Sequence, residues 1–201
     1  MRIVVFGASG KTGRQVVSLA HQRDHEVVAF VRDASKQWFA DAVTVQQGDP
    51  SDTESVAVAL IGADATISAL GPVAGETTTE ISDATRTIVD VMERIGPHRL
   101  AIAANTTVFT DRVITGEYAN VAAEHRRDLA ILHESALAWT VVVAPRLSDG
   151  PGLGSFDVVI DGRPEGGSIS RPDFAAALLD ALTRDEWIRH AVGVANTPVD
   201  E

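Results

Sequence analysis

Short apolar runs alternating with amphipathic stretches along the chain predict an α/β fold built on a doubly wound, mostly parallel sheet. Two observations support that class. A glycine-punctuated loop follows the first apolar run directly, and the glycine-rich or unusually long loops follow only the first, fourth, fifth and sixth runs. Those positions all lie at the carboxyl ends of strands, where open α/β sheets bind ligands.

Taken in order, Arg2 to Phe6 reads as a strand buried on both faces. Val16, Val17, Leu19 and Ala20 then give one apolar helical face. Glu26 to Val31 predicts the second strand. Val43 to Val45 is the core of a third, ended by Gly48-Asp49-Pro50. A short helix, Thr53 to Leu60, leads to a fourth strand, Ala65 to Leu70. Ile81, Ala84, Ile88, Val91, Met92 and Ile95 recur at helical spacing until Gly96-Pro97 stops them. Leu100 to Ala104 predicts a fifth strand and Asn105 to Glu117 a loop. Val121, His125, Leu129 and Leu132 mark one face of another helix. Trp139 to Ala144 is the sixth strand, and a glycine-rich loop spans Leu147 to Ser155. Phe156 to Asp161 predicts a further strand. Phe174, Leu178, Leu179 and Leu182 line a helix with Ser170 as N-cap and Pro172 in its first turn. Val192 to Ala195 closes the sheet.

With 201 residues, 45% apolar and 22% charged, and no repeat or linker, the chain reads as a single domain over 1–201. It has no cysteine, which excludes disulfides, a thiolate nucleophile and a thiolate metal site. His125 and His133 are not at the i, i+4 spacing of a helical metal pair, so no metal is expected. The first residues carry one basic group and too short an apolar run for a secretory leader, and no run has bilayer length, so a cytoplasmic protein without a membrane partner is expected. The net charge of −11 disfavours nucleic acid. It is unevenly spread. The first 36 residues hold six basic groups (Arg2, Lys11, Arg14, Arg23, Arg32, Lys36) against three acidic ones, a local +3 that leaves −14 elsewhere. Both lysines lie in this stretch, which points to an anionic ligand there.

Gly7-Ala8-Ser9-Gly10-Lys11-Thr12-Gly13 has the spacing G-x-x-G-x-x-G between a strand and a helix. Glycines there permit a tight turn, let a diphosphate reach the backbone and allow the helix to pack closely. The helix start then offers free N–H groups and a partial positive charge. This is the dinucleotide loop of a Rossmann-type fold. A triphosphate P-loop would need glycine five positions before Gly10, where Val5 stands. At the end of the second strand lie Arg32 and Asp33. A carboxylate there suits the ribose hydroxyls of NAD, a guanidinium the 2′-phosphate of NADP. Arg32 comes first after the apolar run and Lys36 adds charge, so NADP(H) is the expected cofactor, although a merely solvated surface arginine would look the same.

FGASGKTG, then VRD, GDPSD and SALGP after the next strands, and HRRDLAILHESALAWTVVVAPRL and ISRPDFAAALLDAL further on, resemble the atypical short-chain dehydrogenase/reductases, in particular the group of biliverdin reductase B and flavin reductase. The resemblance implies that Gly7, Ser9, Gly10, Lys11, Thr12 and Gly13 wrap the diphosphate. It sets Arg32 at the 2′-phosphate, Asp49 at the adenine, and Ser68, Ala69, Leu70 and Gly71 on the ribose side. Asn105 falls where these relatives carry serine or threonine beside the nicotinamide, and Arg146 where a histidine lines the substrate pocket.

Short-chain dehydrogenases usually donate a proton from a tyrosine activated by a lysine four residues on. The sole tyrosine here is Tyr118, and position 122 is alanine. Without that dyad, alcohol–ketone interconversion loses its acid–base group. Hydride transfer to an acceptor that delocalises its own charge (a flavin, a quinone or similar) survives on geometry and a few donors. Asn105, Thr106 and Arg146 are the candidate donors, with strand-end hydrogen bonding as the alternative role of the first two. There is no G-x-S-x-G elbow for a serine hydrolase. Two functions follow: an NADPH-dependent reductase of a small conjugated acceptor, or a non-catalytic NADP(H) sensor like the NmrA-type regulators.

Overall fold

The computed structural model describes residues 1–36, 39–72, 75 and 77–196, and of Lys36 the backbone alone. Its elements are β1 (Arg2–Phe6), α1 (Lys11–Gln22), β2 (Glu26–Val31), β3 (Thr44–Gln47), α2 (Thr53–Leu60), β4 (Ala65–Ser68), α3 (Glu80–Ile95), β5 (Arg99–Asn105), α4 (Ala119–Glu134), β6 (Ala138–Ala144), β7 (Leu147–Ser148), β8 (Asp157–Ile160), β9 (Ile169–Ser170), α5 (Arg171–Asp180) and β10 (His190–Ala195). The eight-stranded sheet runs β3-β2-β1-β4-β5-β6-β10-β8. Every pairing in it is parallel except β8 against β10, at the edge. This is the doubly wound Rossmann-type sheet that the alternation of runs predicted. Among the described residues no helix is long and apolar enough to cross a membrane.

Side-chain alternation along the central strands sorts the core into two layers. Ile3 and Val5 of β1 pack with Val16, Val17 and Ala20 of α1 and with Phe174 and Leu178 of α5. Val4 and Phe6 turn the other way, onto Val56 of α2, Ile88 and Met92 of α3 and Leu132 of α4. Because both faces are covered, β1 needs the unbroken apolar run it has. The Ser170 cap holds as the sequence suggests, and the structure adds a second at Asp52. Ser170 accepts from Asp173 N at the start of α5, with Pro172 in the first turn, and Asp52 accepts from Ser55 N at the start of α2. Gly96, at φ +74°, ends α3.

The differences are local. The fourth strand stops at Ser68 instead of Leu70: β1 beside it turns away at Gly7, at φ +73°, and the bond from Ala69 N to Phe6 O closes their pairing. The third continues through Gln46 and Gln47, whose pairing with β2 needs only backbone groups. Leu147 and Ser148, expected in a loop, form β7 against β9 (Ile169–Ser170), a two-residue ladder too short for any periodicity to announce. The stretch Asn105 to Glu117 contains two 3₁₀ turns, Thr106–Phe109 and Gly116–Tyr118.

Phe6 has no exposed surface, and its ring centroid lies 4.7 Å from that of Phe30. Phe6→Ala is expected to cost about 3–5 kcal/mol of unfolding free energy through lost burial and the cavity left behind. A lowered urea midpoint at unchanged slope would show it; a loss under about 1 kcal/mol would mean this layer is poorly packed.

Candidate functional site

After Phe6 the chain turns at once. Gly7 sits at φ +73°, and a β-carbon there would lie 2.7 Å from the carbonyl oxygen of Ala69. Both the left-handed backbone and the contact demand glycine. A β-carbon on Gly13, in the first turn of α1, would collide with the carbonyl of Gly7. Loop and helix are therefore pressed together. Gly10 caps α1 in extended conformation without a side-chain bond, and its N–H donates to Gly7 O at 3.0 Å. The amides that open α1 thus lack side-chain caps and remain available to an anion.

A cleft of about 580 Å³, partly open to solvent, lies at the carboxyl ends of β1, β2 and β4. It is lined by Gly7, Ser9 and Gly10, by Phe30, Val31 and Arg32, and by Ala69, Leu70 and Gly71. A second cleft of about 520 Å³ adjoins it through Arg32, Pro50, Leu70 and Ile81, and adds Asp49, Ser51 and Asp83. The sheet order reverses at β1, whose neighbours are β2 and β4. That is the switch point at which open α/β sheets take ligands.

The structure gathers Gly7, Ser9, Gly10, Arg32, Asp49, Ala69, Leu70 and Gly71 around these two clefts. The other predicted positions stand apart. Gly13 lies behind the loop, where its missing side chain permits the packing. Ser68 is buried at the end of β4, in register with Phe6 and Ile102, behind the cleft wall. Lys11 Nζ pairs with Asp149 at 2.8 Å, and Thr12 Oγ1 accepts from Arg171 at 3.2 Å. The side chain of Lys36 lies outside the described residues.

The two neighbours that end β2 behave differently. Asp33 Oδ1 accepts from Ser35 N at 3.0 Å and Ser35 Oγ at 2.6 Å, an Asx turn that occupies the oxygen. No described residue hydrogen-bonds the Arg32 guanidinium, which lines both clefts. Asp49 accepts from Ser51 N and Ser51 Oγ, and these bonds, aided by the Arg32 charge, hold its carboxyl below the ordinary range.

The expected catalytic set lies further along the sheet edge. Asn105 is paired with Ala144 across β5 and β6, two residues before Arg146. Its Oδ1 accepts from Thr107 N at 2.9 Å and Thr107 Oγ1 at 2.5 Å, so the oxygen caps a 3₁₀ turn and leaves the amide NH₂ as donor. Thr106 O accepts from Arg163 at 3.0 Å. Arg146 is exposed, and its carbonyl accepts from Ile169 N. None of the three lines the two clefts. Tyr118 is 56% exposed just before α4, while Ala122 is fully buried. His125, expected to pack, is buried with Nδ1 3.8 Å from Asp128.

Sequence reading missed Phe30 and Ile81, apolar walls of the cleft whose periodicity marks them only as core. It also missed Asp149, Arg163 and Arg171, for which no local motif exists. The loop that begins at Asp149 is tied down by Asp173, which accepts from Leu153 N, Gly154 N, Ser170 Oγ and Asn196 Nδ2.

A turn where a side chain would not fit, uncapped helix amides, a guanidinium without a hydrogen bond to any described residue and a two-lobed cleft together fit a nicotinamide dinucleotide. A model of NAD(P)H-binding proteins matches residues 7–185. The chain belongs to this NAD(P)H-binding family. Among relatives, the uncharacterized protein YwnB of Bacillus subtilis (strain 168) is 28% identical over 204 residues, which cover 92% of this chain and 94% of that protein. Two solved structures share the fold. The anaerobilin reductase ChuY from Escherichia coli O157:H7 superposes with TM-score 0.82 at 22% identity over 100% of both chains. A Streptococcus pneumoniae TIGR4 protein, proposed to be an NADH-flavin reductase, gives TM-score 0.81 at 22% identity over 98% of this chain and 100% of that one.

Asp173 supplies a pH test of the loop. Burial raises its carboxyl, but the four donors named above outweigh that and hold it below the ordinary range. A depressed folded value means that its stabilisation is present above the ordinary carboxylate pKa, about 3.9, and is lost as pH falls through the folded one. The urea midpoint of the wild type should fall more steeply with acidification than that of Asp173→Asn. Superimposable acid limbs would show that the carboxylate is not held low.

Proposed function

We propose that this chain binds NADPH in preference to NADH and passes hydride to a small conjugated acceptor, a flavin, a quinone or a similar molecule. One contrast carries the coenzyme preference: Arg32 lines both clefts and no described residue hydrogen-bonds it, whereas Asp33 lines neither cleft and turns its Oδ1 onto Ser35. A carboxylate that lies outside both clefts is a poor partner for ribose hydroxyls. A guanidinium at the cleft mouth is well suited to a 2′-phosphate.

In this reading the amides that open α1 grip the diphosphate, and Asp49 accepts from the adenine amino group. Bound there, the nicotinamide supplies hydride. Asn105 offers its NH₂ near the end of β5, and Thr106 and Arg146 add donors along the same sheet edge. No tyrosine–lysine pair stands by to protonate an alkoxide, since Ala122 occupies the lysine position. The acceptor must then spread its own developing charge and take its proton from solvent. The names of two fold neighbours, an anaerobilin reductase and a protein proposed to reduce flavin, lend support to such an acceptor. The second is described with NADH, so the coenzyme preference here rests on Arg32 alone. A cysteine-free chain suits work in the cytoplasm.

Purified protein with NADPH should turn over FMN, menadione or a redox dye. Binding of NADPH without turnover of any of them would discard the reductase in favour of a redox sensor. Arg32→Ala should weaken NADPH binding by about 1–3 kcal/mol, the scale of a charge-assisted bond, and leave NADH nearly unchanged. Equal losses for both coenzymes in a fluorescence titration would remove the 2′-phosphate from Arg32.

A further inference from the structure

Beside the glycine loop sits a charge cluster that the cofactor reading does not explain. Asp149 takes Lys11 Nζ on Oδ2 at 2.8 Å and Arg171 Nε on Oδ1 at 2.5 Å. Arg171 also reaches Thr12 Oγ1 at 3.2 Å. Lys11 and Thr12 directly follow Gly10, which lines the cleft, and Arg171 is the first residue of α5. Two cations thus converge where α1 begins, and a single carboxylate from the loop after β7 bridges them.

An exposed bridge of this kind contributes little stability. The Asp149 and Lys11 side chains are 60% and 71% exposed, and such pairs are worth well under a typical hydrogen bond. Arg171 differs: its side chain is only 20% exposed, so its guanidinium is held in place at the helix start. The two bonds to Lys11 and Arg171 are also what keep the Asp149 carboxyl below the ordinary range. A carboxylate with one oxygen on each cation presents the same acceptor pattern as two oxygens of a phosphate.

We propose that Arg171 is a further diphosphate-binding residue and that Asp149 is its internal placeholder. Asp149 holds Lys11 and Arg171 in the free protein and is displaced from them by the coenzyme diphosphate. The inference rests on the dinucleotide reading above and deepens it. The Arg171 guanidinium at the start of α5 completes a grip on the diphosphate that the α1 amides begin. Displacement also frees the first residue of the 149–154 loop, while Asp173 keeps Leu153 and Gly154 anchored. Coenzyme binding is thereby coupled to the position of that loop.

Titration of the full chain with NADPH and with NADH, each at low and high salt, tests this. Because the diphosphate is common to both coenzymes, Arg171→Gln should weaken both by about tenfold, unlike Arg32→Ala. Arg171→Lys should recover part of the loss by restoring the charge. Asp149→Asn removes the competing anion and should tighten both coenzymes by about three- to tenfold at low salt, with the gain shrinking as salt screens it. If Arg171→Gln leaves both affinities within about twofold while melting like the wild type, the proposal is overturned. Weaker binding in Asp149→Asn would equally overturn it, since Asp149 would then be a strut. A wild-type chain that binds neither coenzyme would instead bring down the dinucleotide reading itself, and this inference with it.

Discussion

Backbone lies against backbone where β1 ends. Gly7 abuts Ala69, the residue after β4, and Gly13 abuts Gly7 from α1, with no room for a β-carbon at either position. That close approach brings a strand end, a helix start and the neighbouring strand together at the point where the sheet order reverses. The uncapped amides of α1 follow from it, and so does the cleft. Substituting a larger residue would separate helix from loop, and with them the surfaces that an anion could touch at once.

Around this point the charges are arranged with more selectivity than composition suggests. The chain is acidic overall but locally positive over its first 36 residues. Most of those cations are engaged. Arg2 pairs with Glu26, Arg23 with Asp180, Lys11 with Asp149, and Arg14 Nε donates to Ser9 O. Arg32 differs in lying on both clefts without a hydrogen bond from any described residue.

A buried polar lock positions the far wall. Glu124 of α4, fully buried, accepts from Ser82 N at 2.9 Å and pairs with Arg127. Asn120 accepts from Thr78 N, and Arg127 donates to Thr78 O and Ser82 Oγ. These bonds fix the start of α3, whose Ile81 lines both clefts. Burying a carboxylate is costly, so its compensation by an N–H and a guanidinium makes the arrangement specific. The wall of the site is therefore as well defined as its glycine floor.

The strand–helix alternation, the two-layer core, the cap at Ser170 and the glycine loop were all written into short stretches of sequence. Each depends on residues within a turn or two of one another, through periodicity, side-chain reach or the absence of a β-carbon. Tertiary structure alone decided which oxygen and which cation are spoken for. It buried Ser68 behind the cleft, and brought Asp149 to Lys11 across 138 positions and to Arg171 across 22. Such partnerships arise because the sheet order sets distant loops side by side, and a charged side chain pairs with whatever is close in space, whatever its place in the chain.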